Sequence, residues 1–424
     1  MTDEQEKSLS CSFCGKHRED VEKLIAGPGV YICNECVTIS YEIIEKEEKE
    51  SRLETSFDEI LIPKEIHALL NEYIIGQEET KLLLSTCAYN HYKRINATQS
   101  ENLEKSNIIL IGPTGTGKTL FAKTLANILS VPFAIADATT LTEAGYVGED
   151  VESVLERLLG LANFDIGLAE KGIVFIDEID KKARKSEGQT STRDVGGEGV
   201  QQALLRLIEG TVTKVRISTG KKLIGPDEFV DFDTSNVLFI VGGSFIGLEE
   251  TIANRIKKKS SIGFGSELVG ETLRQKILKY VRPDDLIKYG LIPELVGRLP
   301  IITTLSKLTE EEMIKVLTSV KNSIIIQNKE LLNLDEIEVD FGPEYYKTVV
   351  EKAFVEELGA RSLKSIVEHS LFYIMYHAPD LRKKGIRRVV FDNYPSNAND
   401  SKPLAYKESG EPERLTQYKF FKSI

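Results

Sequence analysis

Gly112-Pro113-Thr114-Gly115-Thr116-Gly117-Lys118-Thr119 follows the apolar run Ile108 to Ile111 and precedes a segment whose apolar residues, Phe121, Leu125, Ile128 and Leu129, fall at helical spacing. A strand feeding a glycine-rich turn that opens a helix aims several backbone N–H groups, and the positive end of the helix dipole, at one point. That arrangement suits a polyphosphate. Gly112, Gly115 and Gly117 permit the tight turn, Lys118 can reach the β- and γ-phosphates, and the Thr119 hydroxyl can ligate Mg²⁺. The predicted ATP-binding residues are therefore Gly112 through Thr119, with Leu120 behind them.

Further along, Gly172-Ile-Val-Phe-Ile-Asp-Glu-Ile-Asp180 supplies what a phosphate cradle alone lacks. Its four consecutive apolar residues predict a strand buried on both faces, with carboxylates at the end where open α/β sheets bind ligands. In this Walker B reading Asp177 holds the Mg²⁺ shell and Glu178 is the catalytic carboxylate, polarising a water for attack on the γ-phosphate.

Cysteine spacing gives the second strong signal. Four of the five cysteines stand as Cys11-x-x-Cys14 and Cys33-x-x-Cys36, with eighteen residues between the pairs. Each Cys-x-x-Cys turn can present two thiolates to one side of a metal, so the two turns predict a closed, tetrahedral, structural Zn²⁺ site. His17 is read as a solvated surface residue and Cys87 as a small buried apolar one. A segment of about fifty residues is too small to hold itself by a core alone, so the metal would supply much of its folding free energy.

Composition points to a soluble, cytoplasmic chain. No apolar run approaches the roughly 20 residues needed to span a bilayer, and the start Met1-Thr-Asp-Glu-Gln-Glu6 is unlike a signal or transit peptide. Lys and Arg total 54 against 66 Asp and Glu, a net charge of −12, so no global basic field favours nucleic acid. At roughly 150 residues per domain, the 424-residue chain holds two or three domains.

The expected organisation is a zinc-binding domain at 1–50, a linker at 51–62 entered through the Glu- and Lys-dense stretch Glu42 to Glu54, a large ATPase domain at 63–306, a small domain at 307–394 and a poorly ordered tail at 395–424. Short apolar runs at 108–111, 132–136, 173–176 and 237–241, separated by helical stretches, predict an α/β fold with a helix-flanked, mostly parallel sheet. Past Arg298-Leu-Pro300 the pattern becomes mainly helical, with segments at 310–329, 343–353 and 362–377 and a strand at 387–391.

Taken together these motifs resemble the ClpX family of AAA+ protein unfoldases over nearly the whole chain up to the tail. Cys11-Ser-Phe-Cys-Gly-Lys16, Leu24-Ile-Ala-Gly-Pro28 and Tyr31-Ile-Cys-Asn-Glu-Cys36 resemble the family's N-terminal domain. Tyr73-Ile-Ile-Gly-Gln77 resembles the segment that packs on adenine, which implies Ile74 and Ile75 as base contacts. Leu291-Ile-Pro-Glu-Leu-Val-Gly-Arg298 resembles the arginine-finger element, and Gly359-Ala-Arg361 the sensor-2 arginine. The resemblance implies a homohexamer in which Arg298 acts on a neighbour's ATP and Arg361 couples the small domain to nucleotide. It also implies a ClpP-type peptidase partner, unfolded or tagged proteins as substrates, and adaptors recruited through the zinc domain.

Three loops bear on how hydrolysis is used. Gly145-Tyr146-Val147-Gly148 carries a bulky side chain on a pliant backbone, and in a ring Tyr146 and Val147 would grip a passing polypeptide without reading its sequence. Arg193 and Asp194 stand where the family has its second pore loop. Ile262-Gly263-Phe264 is an apolar tripeptide in a polar stretch, which suggests insertion into a partner's pocket; in the family it engages the peptidase. Gly220-Lys-Lys-Leu223 departs from the family's Arg-Lys-His pore-entrance loop, and at Val241-Gly-Gly-Ser244 only Ser244 is a candidate sensor-1 residue. Two competing readings are a remodelling chaperone acting without a peptidase and a zinc-ribbon nucleic-acid motor. Ile262 and Phe264 weigh against the first, and the acidic balance against the second.

Overall fold

The structure, a computed structural model, describes residues 9–41, 60–97, 103–142, 148–184, 195–217, 228–259, 277–356, 359–395 and 402–415. The chain divides into two compact units, Met1–Leu61 and Ile62–Ile424. In the first, β1 (Leu24–Gly27) pairs antiparallel with β2 (Val30–Cys33) through a turn at Gly29, whose φ of +76° suits glycine. Among the described residues its core is Cys11, Val21 and Cys33, flanked by Leu24, Ile32 and Cys36.

The second unit runs through β3 (Ile108–Ile111), β4 (Phe133–Asp137), the two-residue pair β5 (Leu141–Thr142) and β6 (Glu149–Asp150), β7 (Ile173–Asp177), the hairpin β8 (Val212–Ile217) and β9 (Glu228–Asp233), β10 (Leu238–Gly243) and β11 (Ile301–Thr304). Five of these form one sheet in the order β11-β3-β10-β7-β4, every neighbouring pair parallel. Every residue of β3 and β10 is buried, as a sheet covered on both faces requires. The consequence for function is topological. The carboxyl ends of β3 and β7 lie at one edge of the sheet, separated only by β10, so the glycine-rich loop after β3 and the acidic end of β7 share a crevice. The helices Lys118–Ile128, Ser153–Leu161 and Val195–Glu209 supply cover, and Leu155, Leu158, Leu204 and Ile208 are buried with the strands.

A separate core collects the residues after Leu305, among them Leu317, Tyr345, Val349, Leu363, Leu371 and Phe391. Two expectations are corrected here. The helix expected over 310–329 is two helices, Glu310–Thr318 and Ile324–Asn333, because Asn322 adopts a φ of +62° and the Ser323 hydroxyl accepts from Ile326 N–H at 3.2 Å to start a new helix. The tail expected to be poorly ordered from 395 instead contributes β14 (Leu404–Lys407) and β15 (Pro412–Arg414). They extend a four-stranded sheet with β12 (Glu338–Phe341) and β13 (Ile386–Phe391) in the order β12-β13-β14-β15. Ala405 and Leu415 are buried in the small core, and Gly410 (φ +84°) turns the hairpin. The helices Pro343–Val355 and Ala360–Lys383 and the strand β13 stand where the sequence places them. No helix among the described residues is long and apolar enough to cross a membrane.

One buried group predicts a pH response. His91 Nε2 lies 3.0 Å from the Asn236 carbonyl, so the neutral ring donates from Nε2 and leaves Nδ1 without a partner among the described residues. Burial, with Arg94 and Lys105 nearby, pushes its pKa down to about 3 from 6.5. The unfolded chain therefore takes up a proton near pH 6.5 that the folded chain refuses, and stability falls as pH falls through that window. This group should withdraw about 2 kcal/mol between about pH 7 and pH 5. Denaturant unfolding of the parent and of His91→Gln across that range should show a shallower decline in the variant.

Candidate nucleotide site and metal centre

The loop after β3 has the backbone a phosphate cradle needs. Gly115 and Gly117 take φ values of +79° and +96°, and Gly117 caps the helix Lys118–Ile128. Gly112 has a different constraint: a Cβ there would lie 2.6 Å from the Leu305 carbonyl oxygen, so the loop and the chain leaving β11 pass too close for a side chain. Lys118 is largely buried, its Nζ donating to the Gly112 and Pro113 carbonyls at 2.7 and 3.0 Å. Burial pushes the Lys118 pKa below the ordinary lysine range, while Asp177, Asp180 and Glu178 pull it back. A polyphosphate would add negative charge beside this amine and could replace the two carbonyls as its acceptors.

Across β10, the Thr119 hydroxyl donates to Asp177 Oδ2 at 3.1 Å. A hydroxyl and a carboxylate oxygen so close are the hard donors Mg²⁺ selects, so this pair fits the ion. Asp177 Oδ1 accepts from the Glu178 N–H at 2.9 Å, and Glu178 adopts a left-handed φ of +57° as β7 passes into the turn Ile179–Lys182. Non-glycine residues hold that conformation only when their surroundings require it, and such residues gather at functional sites. Asp180 plays another part. Its buried carboxylate accepts from Ser244 N–H (3.1 Å), Ser244 Oγ (2.9 Å) and Phe245 N–H (3.3 Å), which ties the end of β7 to the end of β10. The Ser244 hydroxyl, the sequence candidate for sensor 1, is thus engaged by Asp180.

The remaining nucleotide residues divide. Ile74 is buried and Ile75 half-buried, just before Gly76 and Gln77, both with positive φ. A Cβ on Gly359 would lie 3.3 Å from the Gly115 carbonyl oxygen, and Arg361 acts electrostatically on Lys118, so the start of the helix Ala360–Lys383 faces the phosphate loop. Arg298 is not gathered with them; its Nε donates to Glu209 Oε1 at 2.9 Å.

In the first unit, the Sγ atoms of Cys11, Cys14, Cys33 and Cys36 all lie within 4.8 Å of one another. The Cys14 and Cys33 sulfurs are 3.7 Å apart, well beyond the roughly 2.05 Å of a disulfide. Backbone N–H groups point at the sulfurs, Cys33 N to Cys11 Sγ at 3.3 Å and Cys36 N to Cys33 Sγ at 3.4 Å, as thiolates require. Burial pushes the Cys11 thiol up, but hydrogen bonds from the Cys14, Cys33 and Phe13 backbone outweigh it and bring the pKa down to about 6. The hydrogen bond with Cys14, then burial, raises Cys36 to about 12. Four sulfur donors this close would repel one another as thiolates, and a divalent cation of soft character would relieve that repulsion, so the set fits Zn²⁺. His17 is exposed and outside the cluster.

Residues 9–46 match the ClpX C4-type zinc finger, residues 103–302 the AAA domain (Cdc48 subfamily), and residues 308–379 the C-terminal, D2-small domain, of ClpB protein. The three matches together are consistent with a ClpX-type AAA+ protein. The AAA and zinc-finger matches support a Clp-type ATPase whose cofactors are ATP with Mg²⁺ and, at the four cysteines, Zn²⁺. The other residues assigned from sequence, Tyr146, Val147, Arg193, Asp194, Ile262, Gly263 and Phe264, lie outside the described residues, as does the Gly220 to Leu223 departure. Sequence reasoning assigned no role to Asp180 or Gln77. Both act through partners far along the chain, and only the acidic repeat Asp177-Glu178-Ile-Asp180 offered a signal for the first.

Proposed function

We propose that the chain assembles as a homohexamer that uses ATP hydrolysis to unfold and thread proteins into a ClpP-type peptidase. The observation that carries this reading is the juxtaposition at the sheet edge, where Thr119 and Asp177 meet at 3.1 Å and Gly359 lies against Gly115. An ATP site closed by the start of the helix Ala360–Lys383 lets nucleotide state move the small domain. Within the site, Lys118 pairs with the phosphates, Arg361 adds positive charge, and Glu178 orients the attacking water and takes its proton. Mg²⁺, when bound by Thr119 and Asp177, neutralises phosphate charge. Arg298, partly exposed and paired among the described residues with the Glu209 carboxylate, can exchange that partner for a neighbour's phosphate. Tyr146 and Val147, with Arg193 and Asp194, line the pore and move substrate. Ile262, Gly263 and Phe264 dock the peptidase, and adaptors reach the ring through the zinc domain.

The test separates docking from the motor. Truncating Ile262 and Phe264 together to alanine removes two apolar anchors, each contributing about 1.5 to 3 kcal/mol when fully buried, in several copies per ring. The double variant should hydrolyse ATP and unfold a tagged substrate at the parent's rate, yet lose stimulation of degradation by the cognate peptidase. Undiminished degradation would discard the docking assignment.

A further inference from the structure

We propose that Gln77 is a positioning residue for nucleotide binding: it latches the base-contacting segment to the chain entering the small core, so that a seated base is held from both sides. The inference rests on the reading of Ile74 and Ile75 as base contacts. Its observation is a two-point clamp between residues 229 positions apart. The Gln77 carboxamide donates from Nε2 to the Ser306 carbonyl at 2.6 Å and accepts from the Ser306 N–H at 3.1 Å, the pairing a neighbouring strand would offer. Only a side chain with both donor and acceptor at that length makes both bonds.

Three contacts show that this clamp belongs to a built junction. Leu305, the residue before, donates its N–H to the Ile111 carbonyl at 2.7 Å and presses its own carbonyl against Gly112, so the dipeptide 305–306 touches the phosphate loop with one residue and the base segment with the next. A Cβ on Gly76 would push against the Glu312 carboxylate, and Glu312 closes the capping box on Thr309 that starts the first helix of the small core. Behind the segment, Lys321 N–H donates to the Glu72 carbonyl at 2.7 Å, its Nζ bonds Glu72 Oε2 at 3.1 Å, and the same amine stands 5.5 Å from the Tyr73 ring. Gly76 and Gln77 are consecutive left-handed residues, a conformation that Gln77 holds only while its surroundings demand it. With the clamp broken, segment 74–77 loses its tether to residues 305–306 at the base end, while the Leu305 to Gly112 contact at the phosphate end persists.

The experiment compares base-dependent and base-independent binding in the full-length protein. Gln77→Ala and Gln77→Glu, the latter keeping the acceptor and losing the donor, should each raise the KM for ATP by on the order of ten-fold with kcat within about two-fold. Calorimetry should show a similar loss of affinity for ADP and none for inorganic tripolyphosphate. Ser306→Ala should stay within about two-fold of the parent, because the latch uses the Ser306 backbone and the Ser306 hydroxyl reaches Gln77 Oε1 only at 3.5 Å. Unchanged ADP affinity in Gln77→Ala, or equal losses for ADP and tripolyphosphate, would overturn the proposal. Ile75→Ala tests the underlying reading. A loss of ADP affinity there with none in Gln77→Ala rejects the latch alone, whereas a selective loss in Gln77→Ala with none in Ile75→Ala keeps the latch and discards Ile75 as a base contact.

Discussion

Glu178→Gln should lower ATP turnover by at least about a hundred-fold while ATP still binds, and Lys118→Ala should remove binding itself. The two effects separate because the two side chains meet different atoms. Lys118 is the buried amine of the glycine loop, held by the Gly112 and Pro113 carbonyls and drawn toward Asp177, Asp180 and Glu178; without it the terminal phosphates lose their nearest cation. Glu178 follows Asp177 at the mouth of the sheet, and glutamine keeps its length and backbone while removing the carboxylate proposed to accept the water's proton. General base catalysis contributes about 10² to 10⁴ in rate. Its loss therefore appears in kcat and leaves the dissociation constant near that of the parent. Phosphate release under saturating ATP and calorimetric ATP binding measure the two separately. Turnover in Glu178→Gln equal to that of the parent would remove Glu178 from the catalytic assignment.

Much of this site was legible because its signals are local. The turn from Ile111 to Thr119 needs glycines where φ is positive, and the burial of β7 needs an unbroken apolar run, so residue type and order suffice. The sheet order was not local, since nothing in the chain near Gly112 states that β10 lies between β3 and β7. β11 escaped notice for another reason: Ile301–Thr304 is a short edge strand, mostly half-buried, and its Ile-Ile-Thr-Thr pattern is too brief to show a period. The hairpin of β14 and β15 hid in polar composition, because a two-stranded extension of a sheet needs few buried residues, here Ala405 and Leu415. Gln77 and Asp180 were opaque because their partners, Ser306 and Ser244, are distant along the chain.

Withdrawing the metal from the first unit should abolish its fold while the ATPase continues. Cys11→Ser and Cys33→Ser are the sharpest tests, since both sulfurs are buried and together with Val21 they make up nearly all of that unit's core. A cluster of three buried residues cannot offset the conformational entropy of ordering residues 9–41, and the hairpin β1–β2 alone is marginal in water. The Cys14 and Cys33 sulfurs, 3.7 Å apart, cannot substitute by pairing with each other without moving the chain. Metal binding is then the folding reaction of this segment. Elemental analysis should find one zinc per parent chain at the four-cysteine cluster and none in either variant. Hydrogen exchange should show residues 9–41 unprotected while the strands β3, β7 and β10 keep their protection. Basal ATP turnover should remain within about two-fold of the parent, because every residue of the nucleotide site belongs to the second unit, which has its own cores. A zinc-free variant whose first unit retained parental protection would show that side-chain packing, and not the metal, holds that fold.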